Sequence, residues 1–460
     1  MKFNVIRPEF KNKDYNILDY GAKSSYDFNN RIAIQKTIDE CEKNGGGRVI
    51  IPNGFFKTGP ITLKSNVNLY LESGAYLSFL KSEEEYPLIF TEYEGIKKIR
   101  CISPINAKNE ENIAITGSGV IDGNGHLWRG IKKFKVTDKM WERLLKESTY
   151  VYETKESKIW CPTKTYYDGL YKGEPDYSLP NALEIAQENW DMYRPVMVSL
   201  INCDKILIEG VTLMNSPAWN IHPLYCTNFT LKDAKVKNTA YAQNGDGLDL
   251  ESSKNCEIVN TEFSVGDDGI CIKSGKNRIA RQKKIPTENV WIHGCKVLDA
   301  HGGFVVGSEM SRGVKNILIE DCIFAGTDIG IRFKSAMGRG GVVEDITIKN
   351  IQMSRIIGEA MIFTMGYVLI SIEDTNEGKV TVDLDDVPEF KNIYIENIHC
   401  DSSKVVLKVE GLPEKKIHDI YIKDSSFVGE NDFSLKLCEN IKLINTSINN
   451  KYYKEETFDN

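Results

Sequence analysis

No Cys-x-x-Cys pair occurs among the 11 cysteines, and the six histidines show neither a His-Glu-x-x-His run nor a finger-like spacing. These absences argue against a structural zinc site and a disulfide framework, and the cysteines read as reduced core residues. Positive charge is not in excess: 58 Lys and Arg stand against 65 Asp and Glu, a formal net charge of -7. Nucleic-acid and anionic-membrane binders carry basic faces, so neither partner is expected. Long apolar runs are missing too. The opening "MKFNVIRPEFKNKDYNI" has no signal-peptide core and no stretch of the chain is apolar enough for a spanning helix, which together predict a cytosolic protein.

What is present is a globular balance of 41% hydrophobic and 27% charged residues over 460 positions. Length alone suggests about three domains, but a repeat overrides that count. The stretch "NVWIHGCKV" recurs as "NILIEDCIF", "KILIEGVTL", "NFTLKDAKV", "NIYIENIHC" and related forms, with copies starting at 112, 205, 228, 255, 289, 316, 345, 392, 419 and 440. Steps of about 20 to 50 residues mark a solenoid. The second and fourth positions are apolar, as in Val290 and Ile292, so one face of a period-2 strand turns inward. The sixth position is Gly, Asn or Asp in the later copies (Gly210, Asp233, Asn260, Gly294, Asp321), residues that tolerate a left-handed backbone. A corner is expected there.

Strand, corner and strand at this interval predict an all-β fold, a single-stranded right-handed parallel β-helix over residues 1–460, with coils stacked about 4.8 Å apart. The Leu-x-x-Leu-x-Leu pattern of a leucine-rich horseshoe is missing. Over about residues 27–47, Ile34, Ile38 and Cys41 share one helical face and Gly45 to Gly47 end it, which predicts a helix capping the N-terminal end. From about 124 to 189 an insertion rich in tryptophan and tyrosine interrupts the repeat. It reads either as an excursion packed away from any site or as a wall beside a ligand groove.

A further strand aligns on a glycine in "GDGLDLE", "DDGICIK", "HGGFVVG" and "DIGIRFK". Its outward columns hold Asp249, Glu251, Lys273, Arg332 and Lys334. Just before the glycines stand Asp246, Asp267, Asp268 and His301. Asp246 shares a column with Asp268, one coil earlier, and His301 shares one with Asp267. Three close carboxylates repel, so at least one should hold a proton near neutral pH. A proton-holding acid beside ionised bases is the apparatus of glycoside hydrolysis.

These stretches resemble the polygalacturonases, glycoside hydrolase family 28, whose motifs run Asn-Thr-Asp, Gly-Asp-Asp, Gly-His-Gly and Arg-Ile-Lys. The counterparts here are "NGDG", "GDDG", "AHGG" and "RFK", with "DYGA", "GSEMSRGV" and "GRGG" also similar to bacterial members. The resemblance implies hydrolysis of α-1,4-galacturonosidic bonds with inversion. Asp267 would be the general acid, Asp246 and Asp268 would activate water, and His301 would tune Asp267. Arg332 and Lys334 would bind the substrate carboxylate, with Asn244, His222, Lys273 and Tyr367 lining the same groove. No metal or other cofactor is implied. Gly245, Ala300 and Phe333 depart from the motif: the inward-facing Phe333 should alter only packing, while Gly245 and Ala300 bear on fine specificity. The aromatic insertion and the expected cytosolic location point to attack from the chain end on short pectic oligosaccharides. Endo-acting and rhamnogalacturonan-cleaving members are alternatives. A β-helical pectate lyase, with an Asp cluster holding calcium, and a non-catalytic carbohydrate-binding solenoid are the readings from other classes.

Overall fold

Left-handed corners occur at both ends of each repeat strand. In the computed structural model, which describes residues 3–155, 157–367 and 383–460, the expected sixth-position corners all have positive φ, from 79° at Gly210 to 46° at Asn445. The first position is a second such corner, at 58° in Asn112, 58° in Asn289 and 57° in Asn316. Its recurrent Asn is therefore a turn residue, and it also pairs with its own kind: Asn316 Nδ2 donates to Asn289 Oδ1 at 2.6 Å, and Asn289 Nδ2 to Asn255 Oδ1 at 3.0 Å. Between the two corners lies the inward-facing strand.

The strands stack in parallel as a right-handed β-helix. One ladder runs through Glu111–Gly117, Asp204–Glu209, Thr227–Lys232, Lys254–Val259 and Thr287–His293. A second, shorter ladder runs through Val120–Asp122, Thr212–Met214, Lys235–Lys237 and Glu262–Ser264. A third, of 11 strands, includes Val198–Ile201, Ile221–Leu224, Leu248–Glu251, Asp268–Lys273, Gly302–Gly307 and Ile329–Lys334. Its register pairs Leu248 with Ile270, Ile270 with Phe304 and Phe304 with Ile331, the alignment expected from the glycines.

Apolar columns from all three ladders meet in one continuous core that includes Ile258, Ile292, Val297, Phe304, Ile319 and Phe333. The helix Arg31–Lys43 buries Ile34, Ile38 and Cys41 against the first coils. At the other end the strand Lys451–Phe458 pairs antiparallel with Cys438–Ile448. All 11 cysteines are buried and free. No helix among the described residues is long and apolar enough to cross a membrane.

Two excursions leave the solenoid on the side of the third ladder. One is the aromatic segment, which folds as short helices such as Asp138–Glu147 and Lys164–Lys172 with a small three-stranded sheet. The other is an antiparallel hairpin, Leu88–Tyr93 with Ile96–Cys101. The two share a core: Tyr86, Leu88, Ile99 and Cys101 pack with Trp128, Ala186 and Trp190. Neither strand of the hairpin matches the repeat frame, and the hairpin was not expected from the sequence.

Candidate active site

Each aligned glycine of the third ladder sits where an inward Cβ would strike the core. At Gly247 it would come within 2.6 Å of Phe263, at Gly269 within 2.4 Å of Val297 and at Gly303 within 2.6 Å of Phe324. The coil turns tightly at this column, and the residues just before it face the groove. Asp268 opens its strand while Asp267 lies outside it, so the two neighbours do not alternate across a pleat.

Asp246, Asp267 and Asp268 each offer a carboxylate oxygen within 4.8 Å of the other two. Among the described residues this is also the set that could embrace a divalent cation. The three environments differ. Asp268 is buried, accepts from Lys334 Nζ at 2.7 Å and has Arg332 at 3.7 Å. Burial pushes its carboxyl up, but the two cations outweigh it and hold it well below the usual range. Asp246 is buried with one oxygen lacking any hydrogen-bond partner. Burial first, and then the charges of Asp249, Asp267 and Asp268, raise it well above the usual range. Burial and like charges thus favour a proton on Asp246, while Lys334 and Arg332 favour the ionised form of Asp268.

Asp267 is the more open of the pair. Its Oδ2 accepts from Asn244 N and its Oδ1 from Asp268 N, both at 3.1 Å. His301 N donates to Asp267 O at 3.0 Å, in the shared column, and its Nδ1 lies 3.6 Å from Asp267 Oδ1. His301 Nε2 lies 3.6 Å from Asp328 Oδ2, so the ring stands between two carboxylates. Asp328 had no motif to mark it. Asn244, at φ 52°, is itself held: Arg194 donates to its Oδ1 at 3.0 Å and to the carbonyls of Pro217 and Gln243. Arg194 lies outside the repeat and was not singled out from the sequence.

The expected substrate contacts divide. Arg332 lines the groove, its Nε unpartnered and its guanidinium 5.6 Å from the Tyr367 ring centroid. Lys334 reaches the same ring at 5.4 Å but is committed to Asp268. His222 and Lys273 are buried against protein partners. His222 is 1% exposed, pairs with Glu251 at 2.8 Å and packs edge-on to Trp219 and Tyr93. Lys273 is buried, 2.9 Å from Glu309 and 4.8 Å over the Trp219 ring. Burial works to lower Lys273, but Cys271 and Glu309 raise it further, and Lys273 and Arg339 in turn hold Glu309 well below the usual range against its burial. The "GSEMSRGV" and "GRGG" stretches thus supply a buried ion network under the floor. The sequence could not reveal that the hairpin covers this part of the ladder.

The hairpin lies across the upstream end. Tyr93 stacks on Trp219 at 4.1 Å, the Gly95 carbonyl accepts from Arg312 at 2.8 Å, and Glu92 pairs with Lys283 at 2.5 Å. The insertion forms the flank beside the acid. Ile131, Trp141, Leu144 and Trp160 pack with Tyr241 of the solenoid, and Lys135 Nζ donates to Gly266 O at 3.1 Å. Of the departures from the motif, Phe333 faces inward and stacks on Phe363 at 4.8 Å, and Ala300 joins the core. At Gly245 a Cβ would come within 2.6 Å of Ala242 Cβ, so the tight loop leaves no room for threonine.

Residues 184–451 match the family model described as glycosyl hydrolases family 28. The chain is 30% identical over 364 residues to an exo-poly-alpha-D-galacturonosidase of Dickeya chrysanthemi, which covers 77% of this chain but only 57% of that longer relative. It is 26% identical over 416 residues to an endo-polygalacturonase of Pectobacterium carotovorum, covering 88% and 85% of the two chains. The crystal structure of a hyperthermoactive exopolygalacturonase from Thermotoga maritima superposes with a TM-score of 0.80 at 27% identity, over 99% of this chain and 96% of that one.

Proposed function

We propose, from the premise that the chain belongs to glycosyl hydrolases family 28, that it hydrolyses α-1,4-galacturonosidic bonds of pectic oligogalacturonides from the chain end. The observation that carries this reading is the division of labour among three carboxylates whose oxygens lie within 4.8 Å of one another. Asp268, kept ionised by Lys334, takes the proton of the attacking water. Asp246, protonated beside it, orients that water. Asp267, outside their column and next to His301, enters the step carrying a proton of its own, delivers it to the leaving oxygen and regains one from solvent after product leaves. Arg332, with unspent donors, faces a uronate carboxylate across the Tyr367 ring.

Attack on the chain end is supported by the hairpin. An open groove accepts a polymer at any point, whereas Tyr93 stacked on Trp219 closes the floor upstream of the acids. Inversion follows if the water enters on the Asp246–Asp268 side. The packing is tighter than the roughly 6.5–9.5 Å common between inverting carboxyl groups, because two carboxylates here share one water. Proton NMR of the first product decides it: β-galacturonate first supports inversion, and α first overturns it.

The test of the whole reading is a time course with oligogalacturonides in chelator. Saturated mono- or digalacturonate released steadily supports it. An unsaturated product, or one formed only with calcium, favours the lyase, and binding without turnover favours the non-catalytic solenoid.

A further inference from the structure

The flank of the groove beside Asp267 carries a cluster of positive charge. Lys135, Arg129 and Arg194 come from the insertion and its exit, in a chain whose net charge is -7. Lys135 donates to a backbone carbonyl, Arg194 to two carbonyls and an amide, and Arg129 to the Thr239 hydroxyl at 3.4 Å. Among the described residues none of the three forms a salt bridge. Burial, with the neighbouring Arg194 adding to it, pulls the Arg129 guanidinium down to about 9 against the opposing pull of Tyr241 and Asp122.

Of the three, only Lys135 is built to reach a ligand. Arg129 is 2% exposed, and Arg194 is used up in clamping the Asn244 loop. Lys135 is half-buried, and its ammonium has three donors. The bond to Gly266 O uses one of them, and that carbonyl belongs to the residue immediately before Asp267. Its position is well fixed. Ile131, four residues earlier, is locked with Trp141 and Trp160, and the strand Ile131–Lys132 pairs with Lys158–Trp160. Tyr241 ties that cluster to the solenoid. An aromatic core thus holds a lysine at the edge of the acid.

The other cations near the acids are placed differently. Lys334 is committed to Asp268, and Arg332 lies two coils further along the ladder. A uronate chain presents one carboxylate per sugar, so a second cation separated from Arg332 matches a second sugar.

We propose that Lys135 binds a substrate carboxylate at the Asp267 edge of the groove, on a sugar other than the one Arg332 holds. The inference rests on the galacturonan reading above and extends it to the insertion. The ligand is a uronate carboxylate adjoining the scissile bond, and the insertion carries specificity as well as shape.

The test is calorimetry of trigalacturonate and its three monomethyl esters with Asp267→Asn protein, in which turnover is slowed, with and without Lys135→Gln. Removing a charge-assisted contact of this kind should weaken trigalacturonate binding about tenfold. One monoester should bind both proteins equally, and a different one should erase the effect of Arg332→Gln. Lys135→Arg should restore most of the affinity, which separates lost charge from lost folding. A loss of less than about threefold on trigalacturonate, or an equal loss on all three monoesters, overturns the proposal and leaves Lys135 as a strut for Gly266. If binding depends on Lys135 but the unmodified protein releases no product from any oligogalacturonide, the activity reading falls and the carboxylate site stands.

Discussion

Lys334 Nζ sits 2.7 Å from Asp268 Oδ2, so this cation neutralises the base. Lys334→Met should therefore act on rate and pH together. Without the ammonium, burial is opposed by Arg332 and, more weakly, Lys273, and the Asp268 carboxyl rises. Because the base must be ionised, the acid limb of kcat/KM should move to higher pH, with activity at pH 5 falling at least about tenfold. A purely substrate-binding lysine would raise KM and leave the limb in place.

Asp267→Asn should reduce kcat by about 10² to 10⁴ while oligogalacturonide binding changes little, since general acid help is lost and no carboxylate contact to substrate is removed. Near-native turnover of an unactivated substrate would remove Asp267 from its role. His301→Asn should lower kcat less and shift the alkaline limb.

Asp246 offers a trade between activity and stability. Its folded carboxyl is raised, so between the ordinary range and the raised value the unfolded chain releases a proton that the folded chain keeps. Stability contributed by this group falls as pH rises through that window. Asp246→Asn cannot ionise and escapes the loss. Its Tm should exceed that of the parent by about 1–2 °C at pH 8 and by less at pH 4, while turnover collapses. Calorimetric scans at the two values check the sign.

The hairpin should set the product pattern. Replacing Glu92–Lys97 with a two-residue turn removes the Tyr93 stack on Trp219 and the Gly95 contact with Arg312. Long polygalacturonate should then lose viscosity early and yield mid-length products, where the parent releases mono- or digalacturonate with little early fall. Retained β-sheet circular dichroism confirms that the shortened chain is folded, and unchanged products would mean that the hairpin does not close the groove.

The corner asparagines can be tested away from the site. Asn316 holds φ at 57° and donates to Asn289 at 2.6 Å. Asn316→Ala loses that bond and must adopt a left-handed backbone, at a cost of about 1–3 kcal/mol. Asn316→Gly keeps the backbone and loses only the bond, so its Tm should lie between those of Asn316→Ala and the parent.

The amino-acid sequence by itself determined the solenoid. Inward columns such as Val290 and Ile292, and turn residues at the sixth position, depend on a local period that neighbouring coils repeat, so each copy reports the same geometry. The same regularity pairs Asp246 with Asp268 and His301 with Asp267, because register in a parallel ladder is a matter of counting from aligned glycines. What only the tertiary structure decided lies where chain segments distant in sequence meet. His222 and Lys273 stand in outward columns, yet the hairpin 88–101 and the Glu309 and Arg339 loops bury them. Whether an outward residue faces solvent, substrate or a covering loop depends on excursions that have no period. The same holds for the proton on Asp246, the commitment of Lys334 to Asp268 and the place of Lys135, since desolvation and Coulomb terms depend on distances that only the packed chain sets.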